Sequence, residues 1–477
     1  MSMASSVRWV ALAQGARVGS QLVSLVVLAR LLPPQTYGLI AMAMTVTNLA
    51  FMFRELGTMA TIVQRPVLGE RLKSTLYWVN VALALAIAAA MVALAGPISI
   101  AYGEPELVPI VRVLALSVPL SSIAAVQQAL MERDSQFRTL ARIEAVSAVA
   151  GVLTAIAIAA NGGGAWSLVW QMLVLTGLTA LQSWRASAWR PRRLFDLAEL
   201  RTIFGFVGNY SLFQFVTYLQ RNADSVIVGK TLGSATLGVY AMASKVMLFP
   251  LQNITGIATR VLLPAMSRRQ HAGAELGALF LRAGAAISML TAPLMAGLYY
   301  LRAPFVDLVF GPRWHEAAGL LQWLAPSGFI QSLHAPTTAL LLALGKASLL
   351  LRLSLLNTVV QVACLLLAVR WGLRGAGAGI LAASCLMLAP ALACVMSSLK
   401  LAPLTVLAEL GKPVLAAAFM LLALALLDTM AVTAGLGKLL SFAVNVAAGA
   451  LAYVFALLVL LRQDMTDMRA LFRLRQA

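Results

Sequence analysis

Residues 76–101 read LYWVNVALALAIAAAMVALAGPISIA, an unbroken run without one charged side chain. A helix rises about 1.5 Å per residue, so roughly 20 residues cross the ~30 Å hydrocarbon layer. This run is long enough to span. Inside hydrocarbon each peptide group must find its partner within the segment, so the run must be helical. Its Leu, Ala, Val and Met content fits a helix, and it lacks the two-residue alternation of a membrane barrel.

The same reading extended outward gives further spans at 9–29, 37–63, 107–130, 141–160, 164–184, 203–229, 236–259, 281–301, 317–344, 349–369, 375–399, 411–431 and 439–461, fourteen in all with the first. Turn residues such as Pro33-Pro34, Gly162-Gly163-Gly164 and Gly311-Pro312 punctuate the links. Composition agrees. Of 477 residues, 61% are hydrophobic and 11% charged, against roughly 25% charged in soluble domains. The longest hydrophilic stretches, near 185–202, 260–280 and 302–316, are too short for a soluble catalytic domain.

The net charge of +19 does not point to nucleic acid, because the cations sit in short links between apolar runs. With the N-terminus cytoplasmic, 24 of the 36 Lys and Arg residues fall on the cytoplasmic side and 7 on the other. That bias predicts a multi-pass protein with both termini cytoplasmic and an even number of spans. Near the N-terminus, Gln14, Arg17 and Gln21 interrupt the apolar stretch, so it reads as a retained first span and not as a cleaved signal peptide. Membrane lipids are then partners, with anionic headgroups favoured.

The chain also repeats itself. Residues 29–46, ARLLPPQTYGLIAMAMTV, match 229–246, GKTLGSATLGVYAMASKV, at seven of eighteen positions, among them Gly38/Gly238 and Met42/Met242. Six spans separate the copies, so both halves run the same way and the axis relating them lies along the membrane normal. The expected division is a six-helix bundle over 1–201, a second over 202–400, and two additional helices with a basic tail over 401–477.

Charges within spans are the informative candidates, since each costs roughly 2.5–3.5 kcal/mol at the bilayer centre. The cations are Arg17, Arg54, Arg112, Arg221 and Lys245, and they outnumber the acids, which include Glu55 and Asp224. An anionic cargo supplies the missing counter-charge, and the planar arginine fork suits a pyrophosphate. Arg17, Arg54 and Lys245 are the candidate anion ligands. Arg221 and Asp224 lie three residues apart on one helical face, where they can pair. With Glu55 they are candidates for ion coupling. Arg112, near a span start, reads as a snorkelling side chain. Gly229-Lys230-Thr231 resembles the end of a phosphate loop, but the position that needs the leading glycine holds Asp224. The three cysteines and three histidines have no metal-ligand spacing. No metal, cofactor or catalytic set is expected.

The stretch 127–151, QQALMERDSQFRTLARIEAVSAVAG, and the stretch 205–269, notably NYSLFQFVTYLQRNADSVIVGKTLGSATLGVYAMASKVMLFPLQNITGIATRVLLPAMSRR, resemble the bacterial polysaccharide-export flippases. These form the O-antigen and exopolysaccharide branch of the multidrug/oligosaccharidyl-lipid/polysaccharide superfamily. The early text LARLLPPQTYGLIAMAMTVTNLAFMFRELG is similar to the same branch. The resemblance implies an all-α membrane protein with two helical bundles around a V-shaped central cavity. It implies translocation of undecaprenyl-pyrophosphate-linked oligosaccharide from the cytoplasmic to the periplasmic leaflet. It further implies a polysaccharide polymerase and chain-length or export proteins as partners, and no ATP hydrolysis. Related lipid II flippases carry cavity-lining arginines in their first two helices, where Arg17 and Arg54-Glu55-Leu56-Gly57 fall here. A second arginine expected later in helix one is missing, since Val23 and Ser24 occupy that region.

Two other functions are compatible with a polytopic chain. A drug/cation antiporter of the same superfamily would favour acids in its cavity, yet the first span has none. A membrane-embedded polymerase or ligase would need a large outer loop, and the longest outer link is 302–316. The topology is checked by reporter fusions. Green fluorescent protein fused after residue 477 should fluoresce, and alkaline phosphatase inserted at residue 311 should be active. The reverse pattern would overturn the orientation.

Overall fold

A computed structural model describes residues 15, 19–54, 62, 68–269, 274–430 and 437–460, with backbone alone for 197–217 and for residues 220, 257, 260, 274 and 407. Among them every regular element is a helix. Nine helices of the described residues are long and apolar enough to cross a membrane. Contacts divide the chain into two units, Met1–Ala241 and Met242–Ala477.

The first unit holds α1 (Gly19–Leu31), α2 (Pro34–Arg54), α3 (Glu70–Tyr102), α4 (Leu107–Leu114), α5 (Ser117–Arg133), α6 (Phe137–Ala160), α7 (Trp166–Ala186), α8 (197–232) and the first turns of α9 (234–267). The second unit holds the rest of α9, then α10 (Ala274–Tyr300), α11 (Arg302–Val309), α12 (His315–Ser332), α13 (His334–Ala343), α14 (Ala347–Ala368), α15 (Gly372–Leu399), α16 (Pro403–Thr429) and α17 (Lys438–Leu460). The three cysteines are free thiols.

Two stretches expected as single helices are broken, and proline explains both. The 107–130 stretch is interrupted between α4 and α5, and Pro119 lies just beyond. The 317–344 stretch is interrupted at Leu333, three residues before Pro336. A proline has no N–H to donate, and its ring crowds the carbonyl four residues back, Ala115 and Ser332 here. Between α8 and α9 the break falls at Gly233, whose φ of 81° is in the left-handed region. Glycine enters that region without steric cost.

The repeat is visible in local conformation as well as in text. Ser135 (φ 56°) and Gly345 (φ 68°) both turn left-handed immediately before Gln136 and Lys346, which have φ/ψ of −80°/47° and −85°/46°. The N–H groups of Gln136 and Lys346 each bond a carbonyl five residues back at 2.8 Å, that of Met131 and that of Leu341. Ser117 and Ser327, both fully buried, each donate their hydroxyl to the carbonyl three residues earlier. Gly162 and Gly372 have φ of 79° and 71°. Each pair is separated by the same interval, so one backbone plan serves two stretches with different side chains.

The first unit extends to Ala241 and includes a close crossing of α2 with the start of α9. A β-carbon at Gly38 of α2 would overlap the Ser234 carbonyl, and one at Gly238 of α9 would overlap the Pro34 carbonyl. Each would also stand 3.0 Å from the other glycine's amide nitrogen. The contact is reciprocal: each repeat copy presents its glycine to the carbonyl four residues before the other copy's glycine. In lipid there is no hydrophobic force between helices, so close backbone approach through small residues is a principal source of attraction. Glu104 adds a carboxylate oxygen 3.3 Å from the Ser234 N–H, where the α9 N-terminus favours negative charge. Met42 and Leu237, both fully buried, pack close to Gly229 in the same unit. Gly38→Val and Gly238→Val should each lower the thermal unfolding midpoint, at a cost of about 2 kcal/mol or more from overpacking. Gly256→Val, where a β-carbon would meet open space, should leave the midpoint unchanged. Equal melting of all three would refute the close crossing.

Candidate functional site

The sequence candidates fall in three groups. Arg17 and Glu55 lie outside the described residues. Arg54 ends α2, half-buried, with its guanidinium carbon 5.8 Å from the Phe51 ring centroid, a cation–π geometry. Lys245 lies in the second unit on α9 with an exposed side chain.

Asp224 and Arg221 lie on α8, and the structure separates their roles. Tyr240 of α9 donates its hydroxyl to Asp224 Oδ2 at 2.5 Å, and the Ser225 N–H donates to Oδ1 at 2.8 Å. Arg221 is exposed, and no Arg221–Asp224 ion pair is found among the described residues. The expected pairing of these two residues is therefore replaced by a tyrosine–carboxylate bond. The physical reason is direction: Asp224 turns toward α9 and finds the 2%-exposed Tyr240, while Arg221 sits on the outer side of α8. A side-chain hydrogen bond contributes roughly 0.5–1.5 kcal/mol, and here it bridges two helices across the Gly233 break.

Further polar bonds surround this contact. The Tyr218 hydroxyl of α8 donates to the Thr45 carbonyl of α2, and the Asn222 side chain donates to the Tyr218 carbonyl at 3.0 Å. Helices α2, α8 and α9 are thus joined through two tyrosines. Sequence reasoning missed Tyr218 and Tyr240, since a tyrosine in an apolar span reads as core. It singled out Gly38 and Gly238 only as identical positions. Their identity in an otherwise divergent repeat was the available signal of close approach.

The second unit contains an apolar cavity of about 540 Å³. Its walls come from α10, α12, α15 and α16, with Met295, Trp323, Phe329, Leu381 and Leu421 prominent and Gln322 and Tyr299 supplying polar atoms. Val414, on the wall, is 43% exposed, so the cavity reaches the surface of the unit. α17 packs against α10 and α16 beside it, and its Tyr453 hydroxyl donates to the Met289 carbonyl of α10 at 3.0 Å. Such a space accepts an apolar chain and offers nothing to a charged one. Among the described residues no three His, Cys, Asp or Glu side chains gather as a metal site.

Known proteins resemble this chain in sequence and fold. The family model for polysaccharide biosynthesis proteins matches residues 27–319. The chain is 26% identical over 356 residues to the lipopolysaccharide biosynthesis protein WzxC of Escherichia coli (strain K12), covering 74% of this chain and 72% of that one. It is 28% identical over 327 residues to the succinoglycan biosynthesis transport protein ExoT of Rhizobium meliloti (strain 1021), covering 68% of this chain and 65%, just under two thirds, of that one. In fold it superposes on the lipid II flippase MurJ in an inward closed conformation with a TM-score of 0.79 at 12% identity, over 96% of this chain and 99% of that one. An inward-facing multidrug resistance transporter, itself of the MOP superfamily, gives 0.64 at 17% identity, over 80% of this chain and 96% of that one. The chain is therefore a multi-pass, all-helical membrane protein, and it belongs to the polysaccharide biosynthesis protein family.

Proposed function

We propose that this protein is a flippase that carries undecaprenyl-pyrophosphate-linked oligosaccharide repeat units from the cytoplasmic to the periplasmic leaflet of a bacterial inner membrane, for exopolysaccharide, O-antigen or capsule synthesis. The observation that carries the proposal is membership of the polysaccharide biosynthesis family together with a likeness to MurJ over nearly the whole chain. The likeness to the multidrug transporter leaves about a fifth of the chain uncovered, which favours the flippase over the drug/cation antiporter.

In this reading fourteen spans form two six-helix bundles and a final helix pair, with both termini cytoplasmic. The bundles alternate in access around a V-shaped cavity between them. Arg17, Arg54 and Lys245 hold the pyrophosphate, whose charge would otherwise face hydrocarbon. The apolar cavity beside α16 takes part of the polyprenyl chain. That chain is already in lipid, so its transfer gains little hydrophobic energy; shape and contact with Trp323 and Phe329 provide the preference. Glu55, Arg221 and Asp224 couple the cycle to an ion, which can drive it only by binding the two states unequally. Polymerase and export proteins consume the product.

Arg17→Ala and Arg54→Ala should each cut polymer export at least tenfold at unchanged protein level, with lipid-linked repeat units accumulating. Full export by both variants would remove the phosphate clamp. Tyr240→Phe takes one donor from Asp224 and should shift the proton or sodium dependence of transport, whereas Tyr218→Phe, which spares Asp224, should not. An unaltered ion dependence in Asp224→Asn would eliminate the coupling role.

A further inference from the structure

The link between α7 and α8 offers a second, unrelated surface. Residues 187–196 read SAWRPRRLFD, and this strap is bonded along its length to the first turns of α3. The Trp189 indole N–H donates to Glu70 Oε2 at 3.0 Å, and the Trp78 indole N–H donates to the Arg192 carbonyl at 2.9 Å. The Arg192 and Asp196 amides donate to the Ser74 and Thr75 hydroxyls at 3.1 and 3.0 Å. Tyr77, 6% exposed, meets the edges of Trp184 and Trp189 beneath. Arg190 lies over Trp184 and donates to the Ser187 and Trp189 carbonyls. Its role is to hold the strap.

Once these bonds are made, three guanidiniums remain. Arg185, at the end of α7, and Arg192 and Arg193, in the strap, are exposed, and no hydrogen bond or salt bridge is found for their guanidinium groups among the described residues. Glu70, which interacts electrostatically with Arg192 and bonds Lys73 and Trp189, and Asp196 set two carboxylates against the three guanidiniums and Lys73, so the patch keeps a net positive charge. Apolar groups flank the charges: Phe195 is 58% exposed, and Trp78 is 40% exposed although its N–H is bonded. From Trp78 a stripe continues along α3 through Leu85 and Val92, 55% and 41% exposed, at seven-residue intervals on one helical face.

We infer that the strap 187–196, together with Arg185 and the Trp78–Leu85–Val92 stripe, is a binding site for an anionic glycerophospholipid of the leaflet it faces. The three exposed guanidiniums take the phosphate headgroup. Trp78 and Phe195 lie at the headgroup level, where aromatic side chains partition. An acyl chain follows the α3 stripe into the hydrocarbon. A soluble anion would use the cations and leave the stripe idle, so a lipid matches more of the surface. The strap's backbone is fixed by α3, which pre-arranges the cations and lowers the ordering cost of binding.

The full-length protein is placed in nanodiscs of phosphatidylcholine and phosphatidylglycerol in equal amounts, and the lipid retained after detergent extraction is counted by native mass spectrometry. The wild type should retain phosphatidylglycerol in preference to phosphatidylcholine. The triple variant Arg185→Gln/Arg192→Gln/Arg193→Gln should lose that preference roughly tenfold, and the matching Arg→Lys triple variant should recover most of it. Phe195→Ser should weaken retention of both lipids while keeping the preference. Inorganic phosphate should not displace the lipid. The inference is overturned if the Gln variant retains phosphatidylglycerol like the wild type, if the wild type shows no preference, or if inorganic phosphate competes it away. Because the readout is lipid retention, the outcome is independent of whether the protein flips a lipid-linked sugar.

Discussion

Hydrocarbon supplies no hydrogen bonds, and that scarcity governs this chain from sequence to site. Every peptide group must be paired within its helix, and most buried hydroxyls find a nearby acceptor, Ser122 and Ser288 being exceptions among the described residues. The threonines obey the rule locally. Thr45, Thr47, Thr154 and Thr291 each donate to the carbonyl four residues back, at 2.9 Å in all four cases. Groups that cannot be satisfied within their own helix become bridges between helices. Asp224 takes the hydroxyl of Tyr240, and Tyr218 gives its own to the Thr45 carbonyl. Polar bonds are therefore few and placed at helix junctions, where each one fixes a geometry.

The same scarcity makes backbone approach valuable. With no hydrophobic drive between helices in lipid, contact depends on how near two helices can come. The Gly38–Gly238 crossing solves this with one residue type used twice, once from each copy of the repeat. A duplicated chain that meets itself at equivalent residues obtains a symmetric junction from a single sequence feature. The Tyr218, Tyr240 and Glu104 bonds gather around that junction and add polar contacts where the two copies touch.

Much of the helical layout was legible because apolar run length is a direct consequence of membrane thickness. Most helices from α3 to α17 overlap the stretches that hydropathy marks, whereas α11 lies in 302–316, a stretch that reads as a hydrophilic link. The breaks at Leu333 and between α4 and α5 were harder to read. Proline is tolerated within membrane helices, as Pro97 in α3 and Pro293 in α10 illustrate, so its presence alone does not announce a break. Arg221 and Asp224 were legible as ionisable residues in a span and misleading as a pair. Three-residue spacing permits a contact, but side-chain direction decides it, and a tyrosine sixteen residues downstream across a glycine turn was the better partner. The cavity beside α16 has no signature in the text, because its lining is as apolar as the lipid-facing surface around it. Only the three-dimensional arrangement separates a wall from an outer face.

The functional account joins a family devoted to polysaccharide biosynthesis to an apolar cavity and to cations in spans that lack enough acids to match them. Each part suits a substrate that is oily at one end and multiply anionic at the other. The most direct measurement is the transbilayer movement of that substrate. Purified protein is reconstituted into vesicles with undecaprenyl-diphosphate oligosaccharide carrying a fluorophore on the sugar, and a membrane-impermeant quencher is added outside. The account predicts that protein-containing vesicles lose nearly all fluorescence, while protein-free vesicles keep the half that belongs to the inner leaflet. Retention of that protected half in the presence of folded protein, with and without proton and sodium gradients, would contradict it.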